Sequence, residues 1–225
     1  MQQIPLAIKL ETSNSFDEFY CENHNLIANI KAAIELKESI YITGFAGKTH
    51  LLQAICKFSN EHNKPCFFMP MAEFIKMPAA VTQFEQKFSV VCVDDIDLIV
   101  GNAEWEQAMF DLINDLIDNQ ACIVVSCSNY QTNFNLPDLK SRIKQLRQIF
   151  IPKLTDSQVS KVFLLHAKFR GLNVKANVAK YIHRHLPRNI KYLINLLDML
   201  ENMVVLQKRK ITIELVKDVV ASQNQ

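Results

Sequence analysis

Glycine is scarce in this chain: four in 225 residues. A chain this poor in glycine has few places where backbone with positive φ comes without steric cost, so two glycines falling close together, Gly44 and Gly47, stand out at once. No apolar run reaches 18 residues, and the opening MQQIPLAIKLE has neither a basic stretch nor an adequate apolar segment. A membrane-spanning helix and a secretory leader are therefore not expected, and a cytoplasmic location is. CxxC spacing is missing too. The six cysteines (Cys21, Cys56, Cys66, Cys92, Cys122, Cys127) are scattered and read as reduced thiols rather than as a zinc ribbon or disulfide framework. A net charge of +2 with no long basic block gives no electrostatic case for nucleic acid. Internal repeats and low-complexity segments are absent.

What is present is enough apolar material, 49% of residues, to bury a core in one large domain or in a main domain with a smaller companion. Residues 1–15 lack periodicity and read as a flexible tail. Helical spacing begins at Asn25 (Leu26, Ile27, Ile30, Ala33, Ile34) and leads into an apolar strand, Ile40 to Thr43. Further strands are expected at Cys66 to Met69, Phe88 to Val93 and Cys122 to Ser126, with a short fifth at Phe150 to Pro152. Helical patterns separate them, notably Lys48 to Asn60 and Trp105 to Ile117, where Trp105, Met109 and Leu112 share one face and read as core. Strands alternating with helices imply an α/β fold with a parallel sheet covered on both faces. After Pro152 the pattern turns wholly helical. Thr155 and Gln158 form a capping box, and helices follow near Asn177 to His185, Arg188 to Leu206 and Ile213 to Ser222. The expected division is a tail at 1–15, an α/β domain at 16–153 and a small all-helical domain at 154–225.

The chemistry centres on SIYITGFAGKTHLL, Ser39 to Leu52, where an apolar strand runs through Gly44, Gly47, Lys48 and Thr49 into a helix. In a phosphate loop, glycines let backbone N–H groups close on phosphate oxygens, the lysine neutralises charge and the Thr hydroxyl reaches Mg²⁺. The usual spacing puts the first glycine six positions before the lysine, the place held here by Ile42. Gly44 precedes Lys48 by only four. The second element is Asp94 and Asp95 at the end of the Val90 to Val93 run. A carboxylate leaving a central strand stands beside the phosphate loop, where it can hold Mg²⁺, and a neighbouring acid can orient water. Asp97 reads as a solvated acid. Ser126 and Ser128, ending the fourth strand, are either phosphate-sensing groups or ordinary strand-end residues. Arg142 and Arg188 have the positions of a finger supplied in trans and of a cation facing nucleotide between domains; in isolation each reads as a surface or helix-end charge, and their value comes from position relative to the other motifs. Near the start, Gln3, Ile4, Leu6 and Ile8 form an extended pattern whose three aliphatic residues share one face, able to enter an apolar groove while Gln3 supplies amide hydrogen bonds.

Together these segments resemble the AAA+ proteins of the bacterial initiator DnaA group along nearly the whole chain. NSFDEFYCENHNLIANIKAA resembles the lead-in box, GKTHLLQA the phosphate loop, VVCVDDIDLIVGNAEWEQAMFDLIN the acid motif and its helix, LPDLKSRI the arginine-finger box and LPRNIKYL the second-sensor helix. The resemblance implies an AAA+ P-loop αβα domain followed by a helical lid. The chain stops where the lid stops, before the helix-turn-helix domain of DnaA, and its Gln3 to Ile8 segment is similar to a clamp-binding peptide. Both traits fit a regulatory member of the group without sequence-specific DNA recognition. The implied function is stimulation, on the DNA polymerase III sliding clamp (its beta subunit), of hydrolysis of DnaA-bound ATP. In that reading Arg142 acts on the partner's nucleotide, while Gly44, Gly47, Lys48, Thr49, Asp94, Asp95, Ser128 and Arg188 hold the chain's own ADP or ATP, with Thr49 and Asp94 on Mg²⁺. A homo-oligomer and a mixed complex with DnaA fit equally well. Ser128 stands where an acid is expected at the first sensor, so intrinsic turnover is expected to be weak or absent. Competing readings are an autonomous ATPase of helicase-loader or clamp-loader type, a small-molecule P-loop kinase, and a scaffold that kept only the fold.

Overall fold

The computed structural model describes residues 14–84, 86–128, 132–207 and 210–222. The clamp-peptide candidates Gln3, Ile4, Leu6 and Ile8 lie outside them. The chain divides into two compact units, one ending at Pro152 and the other starting at Lys153.

In the first unit, α1 (His24–Glu35) opens with Asn23, whose side chain accepts the Asn25 N–H at 3.1 Å. Then come β1 (Ile40–Gly44), α2 (Lys48–Glu61), β2 (Cys66–Pro70), the single turn α3 (Met71–Phe74), β3 (Val90–Asp94), α4 (Ala103–Asp118), β4 (Cys122–Ser126), α5 (Pro137–Gln145) and β5 (Arg147–Ile151). Short 3₁₀ turns occupy Ala79–Thr82 and Ile96–Ile99. The five strands form one parallel sheet in the order β2-β3-β4-β1-β5. Because side chains alternate across a strand, the apolar runs serve two cores. Ile40, Ile42, Val90, Cys92 and Val124 face α1 and α2, and Tyr41, Val91, Val93, Ile123 and Val125 face α3, α4 and α5. Trp105, Met109 and Leu112 belong to the second core, as their spacing implied.

Strand β5 departs from expectation by starting at Arg147 and pairing along β1 from Ile40↔Arg147 to Gly44↔Ile151. Only Ile149 and Ile151 of its residues are buried, so this edge strand carries little apolar signal. Phe88 precedes β3 and packs with Phe67 and Phe84 at 5.1 and 5.2 Å between ring centres. Helix α5 starts on Pro137, which suits a first helical turn that has no N–H partner to lose.

Among the described residues the second unit is four helices: α6 (Asp156–Phe169), α7 (Ala176–His185), α8 (Ile190–Gln207) and α9 (Ile213–Ser222). The Thr155 and Gln158 capping box forms in both directions, fixing the start of α6. The core is Phe163, Ile182, Leu196, Leu197, Leu200, Leu215 and Val216. Arg188 lies two residues before α8 rather than in its first turn, and Asn189 accepts the Tyr192 N–H at 3.2 Å.

Candidate nucleotide site

The carboxyl ends of β3, β4 and β1 lie side by side and deliver Asp94, Ser126 and the glycine loop to one edge of the sheet. In open parallel sheets this edge is where ligands bind. Buried Ser126 joins the pieces: its hydroxyl donates to Asp94 Oδ1 at 2.5 Å and accepts the Asp95 N–H at 2.9 Å. Thr49, on the first turn of α2, lies near enough to Asp94 to favour its ionised form. Burial nevertheless raises the Asp94 carboxyl above the ordinary carboxylate range, the bond from Ser126, the nearness of Thr49 and the charge of Lys48 opposing it, and Asp95 adding to it. Hydroxyl and carboxylate oxygens from β3, β4 and α2 therefore lie at one place, beside a carboxylate whose burial is not fully compensated, and hard oxygen ligands of this kind suit Mg²⁺.

The chain reverses sharply after Asp94. Asp95 takes left-handed backbone, φ 54°, which an aspartate tolerates better than most residues. Its carboxylate then accepts the Ser128 hydroxyl at 2.7 Å, while Asp97 accepts the Ser128 backbone N–H at 3.0 Å. The reading of Asp97 as merely solvated is thus corrected: it fixes the segment after β4. Ser128 faces the two aspartates.

The glycine loop is as short in space as in sequence. Ile42 is buried in β1 between β4 and β5, so only Phe45, Ala46 and Gly47 separate the strand from α2. Gly44 has φ 115°, and a Cβ there would meet the Ile151 carbonyl oxygen at 2.1 Å. Its glycine identity is explained by the approach of β5, a role separate from phosphate. The Phe45 N–H is spent on that same carbonyl at 3.0 Å. Gly47 caps α2 with φ 105° beneath the ring of Phe19, and Phe19 meets the His50 ring edge-on at 5.6 Å. The lead-in residues are thereby packed against the loop. Lys48 donates to the carbonyls of Gly44 and Phe45 at 3.2 and 2.9 Å, bridging its own loop. Phe45 and Phe150, both about half exposed, stand 6.3 Å apart beside it, an apolar pair the motif pattern did not single out.

Arg142 is half-buried on α5, donates to Gln145 at 3.3 Å and forms no ion pair among the described residues. Arg188 pairs with Asp156 within the helical unit. A further residue escaped the sequence reading: Glu106, buried on α4, accepts the Gly101 N–H at 2.8 Å and the Leu136 N–H at 2.6 Å. Its signal was a lone acid next to Trp105 on the apolar stripe of a helix.

Comparison with known proteins agrees with this arrangement. The bacterial DnaA ATPase domain family matches residues 10–149, and the Hda lid domain family matches residues 156–220. Domain III of the Thermotoga maritima replication initiation protein DnaA superposes with a TM-score of 0.77 at 16% identity, covering 95% of this chain and 98% of that one. AMPPCP-bound DnaA from Aquifex aeolicus gives 0.70 at 18% identity, covering 86% and 67%. The Thermotoga maritima RuvB Holliday junction branch migration motor gives 0.61 at 18% identity, covering 93% and 72%. With an αβα sheet, an acid-serine array beside a lysine loop and a helical second unit, this chain belongs to the bacterial DnaA ATPase family and is an Hda-like AAA+ protein of that group.

Proposed function

We propose that this protein, bound to the sliding clamp through its N-terminal segment, stimulates hydrolysis of ATP held by DnaA and thereby inactivates the initiator. The observation that carries the reading is the contrast between Arg142 and the chain's own phosphate loop. The guanidinium has no carboxylate to neutralise it among the described residues, as a charge meant for a partner's phosphate requires, and it stands on a helix anchored by a buried carboxylate. The loop is three residues long and its Phe45 N–H is already committed. Such a site suits holding a nucleotide better than turning it over. Lys48 and the start of α2 would face phosphates, Thr49 and Asp94 would hold Mg²⁺, and Ser126 would keep the Asp94 carboxylate in place. Mg²⁺ held there would supply neutralisation of phosphate charge. ADP or ATP is the nucleotide class, by analogy with the AMPPCP-bound relative. Asp95 and Ser128 satisfy one another and would set the position of groups near the terminal phosphate.

The test is hydrolysis of ATP preloaded on DnaA, with and without DNA-loaded clamp. Clamp-dependent acceleration that disappears in Arg142→Ala supports the proposal. Acceleration that persists in that variant moves the finger elsewhere. An autonomous ATPase is favoured by the nearness of Thr49 to Asp94 at the strand ends, and substantial Lys48-dependent turnover without DnaA would establish it.

A further inference from the structure

On the face of the sheet covered by α2, three thiols that are far apart in sequence converge. Cys66 begins β2 and Cys92 lies in β3; the register Cys66↔Val90 and Phe68↔Cys92 puts both side chains on the same face, two residues apart along the ladder. Cys56, buried on α2, closes the group from above. Its sulfur lies 3.1 Å from that of Cys66, Cys66 lies 3.9 Å from Cys92, and all three sulfurs fall within 4.8 Å of one another. Three buried or half-buried thiols with nothing harder between them are poor at satisfying one another as hydrogen-bond partners, because S–H is a weak donor and sulfur a weak acceptor.

The spacing has a chemical meaning. Three metal–sulfur bonds of about 2.3 Å spread evenly in one plane put the sulfurs about 4 Å apart; the Cys66–Cys92 edge is 3.9 Å, and the 3.1 Å Cys56–Cys66 edge would lengthen to match as the thiols give way to the ion. Zinc closes its structural sites with four ligands, and among the described residues no fourth His, Cys, Asp or Glu joins the group. Thiolate-only donors select soft ions such as copper(I). We propose that Cys56, Cys66 and Cys92 form a three-sulfur site for a soft monovalent metal ion, copper(I), tying α2 to strands β2 and β3. Cys66 is half-buried and provides the way in. Binding replaces three S–H protons, which leave to solvent, with one copper(I), and no electrons change hands. The site sits beneath the helix that follows the phosphate loop, with Cys92 two residues before Asp94 on β3 and Cys66 at the start of β2.

The experiment is anaerobic titration of the reduced full chain with copper(I) against a competing chelator. One equivalent per chain should bind, with thiolate-to-copper absorption in the near ultraviolet and three sulfur neighbours by X-ray absorption. Cys66→Ser, a near-isosteric change at a half-buried position, should weaken binding at least about tenfold. Cys21→Ser should leave it unchanged, and Cys56→Ala gives a second test of the triangle, with thermal melts confirming that each variant folds. Absence of stoichiometric binding, equal binding by Cys66→Ser, zinc outcompeting copper(I) under the same conditions, or formation of a Cys56–Cys66 disulfide without retained metal would each overturn the assignment.

Discussion

Glu106 and Leu136 connect two helices that do different work. The Glu106 side chain on α4 accepts the backbone N–H of Leu136, at 2.6 Å, at the residue that precedes α5 and Arg142. Its other oxygen takes the Gly101 N–H at 2.8 Å. A carboxylate offers a separate acceptor oxygen to each of these N–H groups, where an amide of the same size would turn an NH₂ toward one of them. Glu106→Gln leaves one N–H facing an amide N–H, and leaving a buried donor unpaired costs about 1–3 kcal/mol. Urea unfolding should register that loss. Under the proposed function the same variant should also lower DnaA stimulation by letting the α5 start move, while clamp retention stays intact.

Gly44 provides a test of loop geometry that does not depend on nucleotide. Its added Cβ would lie 2.1 Å from the Ile151 carbonyl, a contact no relaxation of a flexible side chain can relieve because the obstacle is backbone. Gly44→Ala should therefore lose several kcal/mol or fail to fold, as expected where a strained positive φ and a clash coincide. Gly47→Ala meets only the Phe19 ring, at 3.2 Å. It should be milder, about 1–2 kcal/mol from its positive φ. Comparable losses in the two variants by thermal melting would remove the assigned role of the β5 approach.

The Asp94 carboxyl is raised by burial, and the sign of its effect on stability follows. The folded state holds the Asp94 proton more tightly than the unfolded state, so its ionisation costs stability above the ordinary carboxylate range. That cost vanishes below it. Asp94→Asn should thus melt at a higher temperature than the parent near neutral pH. The advantage should shrink as pH falls through the raised value and disappear below the ordinary carboxylate pKa. An equal difference at all pH values would mean that packing, and not charge, sets it.

Much of the site's placement is legible in the sequence because the chemistry lies next to strand ends that are strongly apolar. The Val90 to Val93 run announces β3 and so places Asp94, and the Ile40 to Thr43 run places the lysine loop. Strand β5 was harder: Arg147, Gln148 and Phe150 face outward, so burial of Ile149 and Ile151 alone left a weak alternation. Non-local pairs were invisible for a different reason. The bonds from Ser128 to Asp95 and Asp97, and from Glu106 to Leu136, join segments about 30 residues apart through turns whose geometry no periodicity encodes. The approach of β5 to Gly44 is of this kind as well, which is why a glycine that looked like part of a phosphate cradle has a packing role.

Arg188 allows the structural and functional roles of one cation to be separated. It pairs with Asp156 at the start of α6, with both side chains about half exposed. Exposed pairs contribute roughly 0–1 kcal/mol because water screens the attraction and two long side chains lose freedom. Arg188→Ala should therefore shift thermal unfolding by no more than that. If Arg188 also faces nucleotide phosphates, as its second-sensor position implies, the same variant should weaken ADP binding severalfold by calorimetry, more than its effect on folding can explain. Nucleotide affinity unchanged within error would leave Arg188 as a surface charge paired with Asp156 and would put the holding of phosphate on Lys48 and the first turn of α2.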